Sequence, residues 1–266
     1  MGVLNVTPDS FSDGGDWSDV SQACKRAWAM AEEGAAIIDV GGESTRPGAQ
    51  PVPESEELRR VIPVIERLAA ERFSALISID SMKPAVMRAA VAAGASMIND
   101  VNALQASGAL EVAVQTKAAV CLMHMQGSPL DMQQQPHYHD VVAEVGDYLS
   151  ERVRVCLAAG ISLDRIVLDP GFGFGKSLEH NLTLLASLNR LPVARLPLLV
   201  GMSRKSMLGA ILEVPAGERA HGHSAAVAIA VLQGAKIIRT HEVRASLHAI
   251  KVADRVKRAA EKGGNA

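Results

Sequence analysis

Eight short apolar runs punctuate the chain, at residues 2–6, 36–40, 75–79, 95–98, 118–123, 165–168, 197–201 and 236–239. Each is rich in Val, Ile, Leu or Met and lacks polar alternation, which predicts strands buried on both faces. Between the runs the period becomes helical. Val20, Cys24, Ala27, Trp28 and Ala31 fall on one helical face, with Gly34 as a stop. Leu58, Val61, Ile62, Ile65 and Leu68 repeat the pattern behind Glu54, Glu56 and Glu57, acids that suit a helix N-terminus. The runs recur roughly every 33 residues, the spacing of βα units with right-handed crossovers. Eight such units predict an α/β chain forming one TIM-type (β/α)8 barrel across residues 1–266. An open doubly wound sheet is the alternative that the pattern alone allows.

Polar residues gather directly after the runs: Asn5–Asp9, Gly41–Arg46, Asp80-Ser81, Asn99-Asp100, His124–Gln126, Asp169–Gly171, Ser203–Ser206 and Arg239–His241. In a parallel barrel these clusters share one rim, where such barrels place their sites. Each has a plainer reading beside the functional one. Asp80-Ser81 suits a helix N-cap before Lys83-Pro84, and Asn99, Asp100 and Asp169-Pro170-Gly171 suit turns. Arg239 and His241, two apart after the last strand, can face one pocket and with Lys205 form an anion clamp, or Arg239 can belong to a buried ion pair. The stretch Gly171–Ser177 resembles a phosphate loop but carries Pro170 where that motif needs its first glycine. His137/His139 and His221/His223 have metal-like spacing without completing ligands, so exposed histidines at helix starts are expected. The basic residues Lys251, Arg255, Lys257, Arg258 and Lys262 read as solvated helix surface.

Composition narrows the function. Lys plus Arg total 27 against 29 Asp plus Glu, a net charge of −2 that lacks the electrostatic footprint of a nucleic-acid binder. Aromatics are 3% of residues, too few for a stacking platform. Cys24, Cys121 and Cys156 are far apart and form no CxxC pair, which predicts buried thiols in a reducing compartment. No apolar run reaches the ~18 residues of a membrane span, and Gly2–Leu4 leads straight to Asn5 and Thr7 rather than into a secretory leader. A cytoplasmic protein without membrane or nucleic-acid partners is expected.

Four motifs in order, Gly2–Gly15, Gly41–Gly48, Asp169–Lys176 and Gly201–Ser206, resemble the dihydropteroate synthase family of the folate pathway, across nearly the whole chain. The resemblance implies a (β/α)8 barrel that joins a dihydropterin pyrophosphate to 4-aminobenzoate, releases pyrophosphate and uses Mg²⁺. By resemblance, Asp80, Asn99 and Asp169 bind the ring edge and Lys205 donates to it. Asn5 holds Mg²⁺ or a phosphate oxygen, Asp13 helps order the metal-bearing loop, and Arg239 and His241 grip the pyrophosphate. Thr45 and Arg46 meet substrate from the second loop, Phe11, Pro47 and Phe174 pack the aminobenzoate ring, and Ser206 presents backbone N–H groups to its carboxylate. The resemblance also implies sulfonamide inhibition, a homodimer and a dissociative mechanism without a nucleophilic residue. It leads one to expect a lead segment before strand one, where this sequence opens directly on that strand. Two other readings stand beside it: a pterin-binding methyltransferase domain, which has no use for the Arg239–His241 clamp, and a catalytically silent pterin binder.

Overall fold

A computed structural model describes residues 1–7, 16–44, 48–128, 130–193 and 195–263. The strands are β1 (Gly2–Asn5), β2 (Ile37–Gly41), β3 (Leu76–Asp80), β4 (Met97–Asp100), β5 (Ala119–Met123), β6 (Ile166–Asp169), β7 (Leu199–Gly201) and β8 (Ile237–Arg239). All eight predicted runs are strands, and β2, β3, β4 and β6 reach one or two residues further into the polar cluster than the apolar pattern suggests. β1 to β6 pair in order and β7 pairs with β8, all in parallel. Parallel bridges Leu168↔Leu198 and Gly2↔Thr240 join the two sheets. Val3 N–H donates to the Thr240 carbonyl at 3.0 Å and Thr240 N–H to that of Met1 at 2.9 Å, which closes the ring. The result is the (β/α)8 barrel, and the open sheet is excluded.

The helices are α1 (Asp16–Glu32), α2 (Glu54–Ala70), α3 (Pro84–Ala93), α4 (Ala109–Thr116), α5 (Val141–Ala158), α6 (Leu178–Ala186), α7 (Ser206–Leu212), α8 (Ala220–Leu232) and α9 (Val243–Gly263). Leu4, Ile38, Ile79, Ile98, Leu122 and Leu168 on the strands are buried against Ala27, Ile65, Met87 and Leu149 of this helical ring. A second, smaller cluster fills the barrel interior: Met97, Cys121 and Leu199, packed with Met1, Ile37, Ala119, Val167 and Ile237.

Side chains two apart on a strand share a face. Two residues beyond Ile37, Met97, Val167 and Ile237 stand Asp39, Asn99, Asp169 and Arg239. The interior therefore changes from an apolar floor to a charged upper layer within one step along each strand. Register completes the layer, pairing Gly41 with Asp80, Asp80 with Asn99, and Gly201 with Arg239.

Candidate active site

Arg239 sits at the centre of the upper layer. Its Nε donates to Asp39 Oδ2 and its Nη2 to Asp80 Oδ2, each at 2.6 Å, and Asn99 Nδ2 donates to the same Asp39 oxygen at 2.9 Å. Asp39 and Asn99 are buried and Arg239 is partly so. Burial alone would lower the guanidinium's pKa, but the two carboxylates hold it above its usual value. Burial pushes the Asp80 carboxyl up, against the Arg239 charge and with the help of Asp39. The ion-pair reading of Arg239 describes these contacts: the guanidinium is anchored by carboxylates, and its Nη1 makes no hydrogen bond to a described residue.

Across the mouth, Asp169 Oδ1 accepts from Gly171 N–H at 2.7 Å, and Lys205 donates to the Phe172 carbonyl with its ammonium 4.5 Å from the centre of the Phe174 ring. Burial raises the Asp169 carboxyl, with Lys205 opposing, and lowers Lys205 to about 8. At this mouth Asp80 Oδ1, Asn99 Oδ1 and Asp169 Oδ2 make no hydrogen bond to a described residue, and neither does Oδ1 of the fully buried Asp39. Three such acceptors beside one ammonium can meet a ligand that carries several N–H donors and one acceptor.

The other predicted positions divide cleanly. Asn5 ends β1, half-buried, with no side-chain hydrogen bond to a described residue. His241 follows β8, its N–H donating to Ser203 Oγ at 3.2 Å and its Nδ1 lying 3.0 Å from the same hydroxyl. Ser206 is the exposed first residue of α7. Phe11, Asp13, Thr45, Arg46 and Pro47 lie outside the described residues. The plainer readings hold for the neighbours of the site residues. Ser81 Oγ accepts from Lys83 N–H at 3.1 Å, and Asp100 accepts from Asn102 and Leu104 N–H at 2.8 Å, while Asp80 and Asn99 face inward. His137 and His139 are exposed ahead of α5. His223 corrects the expectation of an exposed helix-start histidine: it is buried, its Nε2 3.0 Å from Thr240 Oγ1. Among the described residues no three His, Cys, Asp or Glu side chains gather as a metal cluster.

Several residues escaped the sequence reading. Asp39, alone in the run Ile37–Gly41, had a signal, because a carboxylate in a doubly buried strand can only point into the barrel. Lys176 and His124 stood in the Asp169–Lys176 motif and the His124–Gln126 cluster, but nothing in the sequence paired them; Lys176 is 3% exposed and lies beneath the loop after β6. Glu57, expected as a helix-start acid, is fully buried and paired with Lys83, which also binds Glu43 at 2.6 Å.

The same residues can be placed among known proteins. A family model described as "Pterin binding enzyme" matches residues 1–241. The dihydropteroate synthase of Escherichia coli K12 is 54% identical over 254 residues, covering 96% of this chain and 90% of that protein. A Yersinia pestis dihydropteroate synthase, solved in a sulfonamide drug complex, superposes with a TM-score of 0.91 at 50% identity, over 97% of this chain and 94% of that one. A Xanthomonas albilineans dihydropteroate synthase, solved with 4-aminobenzoic acid, gives 0.90 at 50% identity, over 97% and 92% of the two chains. With a barrel whose mouth offers three acceptors and an ammonium, and likeness of this extent end to end, the chain belongs to the dihydropteroate synthase family of pterin binding enzymes.

Proposed function

We propose that this chain condenses (7,8-dihydropterin-6-yl)methyl diphosphate with 4-aminobenzoate to give 7,8-dihydropteroate and diphosphate. The observation that carries the reading is the set of unfilled acceptors on Asp80, Asn99 and Asp169 around Lys205. A pterin's amino-pyrimidinone edge supplies the matching N–H donors, and its carbonyl or ring nitrogen takes the lysine proton. Lys205, held near 8, is mostly protonated at neutral pH and serves as that donor.

The reaction breaks the bond between the exocyclic methylene carbon and the diphosphate oxygen, and the electron pair leaves with the diphosphate. The cation left on the methylene spreads over the ring, where the carboxylates of Asp80 and Asp169 favour it. The arylamine lone pair then forms the C–N bond, and one amine proton is lost to solvent. Arg239, held by Asp39 and Asp80, offers its Nη1 to the departing diphosphate, and His241 stands on the same side of the rim. No covalent enzyme intermediate is needed. Asn5 would hold a hard divalent cation through its amide oxygen, which is half-buried and makes no hydrogen bond to a described residue. Bound there, Mg²⁺ would neutralise diphosphate charge.

Sulfonamides then compete for the aminobenzoate place. The protein works in the reducing cytoplasm, where buried Cys24, Cys121 and Cys156 stay as free thiols. It forms a homodimer through its outer helices, where Ile211, Leu212, Ile229 and Leu232 are exposed. The alternative of a silent binder leaves the anchored Arg239 without a task. The bond order is tested by following diphosphate release from the pterin substrate without 4-aminobenzoate. Slow release is expected, and its complete absence while the full reaction proceeds would contradict departure before attack.

A further inference from the structure

The loop after β6 is shaped by three glycines in the left-handed region: Gly171 at φ +70°, Gly173 at +76° and Gly175 at +61°. It lies so close to the end of β5 that a Cβ on Gly171 would overlap the His124 carbonyl, and one on Gly175 the Gln126 carbonyl. This backbone turns its carbonyls to opposite sides. The Phe172 carbonyl accepts from Lys205. The Gly171 and Phe174 carbonyls on either side accept instead from the Lys176 ammonium, at 2.9 and 3.0 Å. The third acceptor of Lys176 is His124 Nδ1 at 2.9 Å. Asn181 secures the same loop, its Oδ1 accepting from Gly173 N–H at 2.8 Å.

An ammonium has three donors, and here each has an acceptor, none of them a carboxylate. Such a group is costly to bury compared with a methionine of similar length, so its place calls for a return beyond packing. Burial lowers Lys176 to about 7 and, with the Lys176 charge, His124 to about 3, which keeps the imidazole neutral and its Nδ1 able to accept. A phosphate-loop role for Lys176 is excluded, because its donors are filled and its side chain is covered.

We propose that Lys176 is a positioning residue for the pterin end of the reaction: by holding the Gly171 and Phe174 carbonyls it fixes the loop on which Phe172 and Phe174 place Lys205. This inference rests on the function proposed above. Without Lys176 the loop loses two of its anchors, and the ammonium of Lys205 drifts from the ring it serves, while the aminobenzoate ring loses support only through Phe174. Misplacement of a binding group by about 1 Å is enough to cost orders of magnitude in rate.

The test compares wild type with Lys176→Met, His124→Leu and His124→Asn, in which the asparagine keeps an acceptor near the position of Nδ1. Steady-state kinetics are measured for each substrate in turn, together with binding of 6-hydroxymethylpterin by fluorescence. Lys176→Met is expected to raise KM for the pterin substrate and weaken the fluorescent pterin by roughly tenfold, and to raise KM for 4-aminobenzoate, whose ring the same loop meets through Phe174, by a smaller factor. His124→Leu is expected to move the same values about threefold, and His124→Asn to restore them. A folded Lys176→Met protein with wild-type pterin binding overturns the proposal. If that variant does not fold, equal pterin binding by the Leu and Asn variants overturns it. Wild type that binds pterin but makes no product contradicts the function instead, and the binding comparison still decides the role of Lys176.

Discussion

Arg239 must do two jobs with one planar side chain. Its Nε and Nη2 are committed to Asp39 and Asp80, each at 2.6 Å, which fixes the plane and leaves Nη1 to meet an anion. Lysine could not hold two carboxylates in divergent directions and still present a donor, because its single ammonium has no fork. Arg239→Lys is therefore expected to lower kcat/KM by about 100-fold. A fall of less than about threefold would mean that the guanidinium serves the fold and not the diphosphate. Asp39, its buried anchor, was legible in the sequence as the one charge in an otherwise apolar strand.

At the scale of elements, the strands carry the site and the loops aim it. Asp39, Asn99, Asp169 and Arg239 each stand two residues beyond an apolar plug residue, so the period of the strand alone brings them to one level. That much was legible, because strand period and cluster position are local properties of sequence. What was not legible is loop interlock. Lys176 meets His124 across 52 positions and Lys83 meets Glu43 across 40, contacts that only the closed barrel creates. Tertiary packing likewise hid His223, whose partners Thr240 and Ser246 come from β8's end and α9. The loop after β6 also makes a prediction of its own. Gly171→Ala forces a side chain into the left-handed region and against the His124 carbonyl, and is expected to cost at least about 2 kcal/mol. Urea unfolding with an unchanged m-value measures it, and an unshifted midpoint would show that the loop gives way freely.

For the molecule as a whole, titratable groups buried around the barrel mouth make stability depend on pH. Burial, and then the Lys176 charge, hold His124 near 3 against its usual 6.5, so the unfolded chain takes up a proton that the folded protein refuses. The stability this gives is complete above pH 6.5 and is lost as pH falls toward 3. Asp100 acts in the opposite sense. Raised by burial to about 6, against backbone hydrogen bonds from Asn102 and Leu104, it adds stability below 3.8 that is lost as pH rises through 6. Asp80 and Asp169, also raised by burial, act in the same sense as Asp100 and against His124, so the difference between variants is the cleaner observable. His124→Asn is expected to gain on wild type in urea midpoint steadily from pH 6.5 down to 3, and a gap independent of pH would remove His124 as the acid-sensitive group.

The measurement that bears most directly on the whole account is product formation. Purified protein is supplied with (7,8-dihydropterin-6-yl)methyl diphosphate, 4-aminobenzoate and Mg²⁺, and dihydropteroate and diphosphate are quantified together. The account predicts equal amounts of the two products, with turnover suppressed by a sulfonamide and restored by excess 4-aminobenzoate. Bound pterin with no dihydropteroate formed would contradict it.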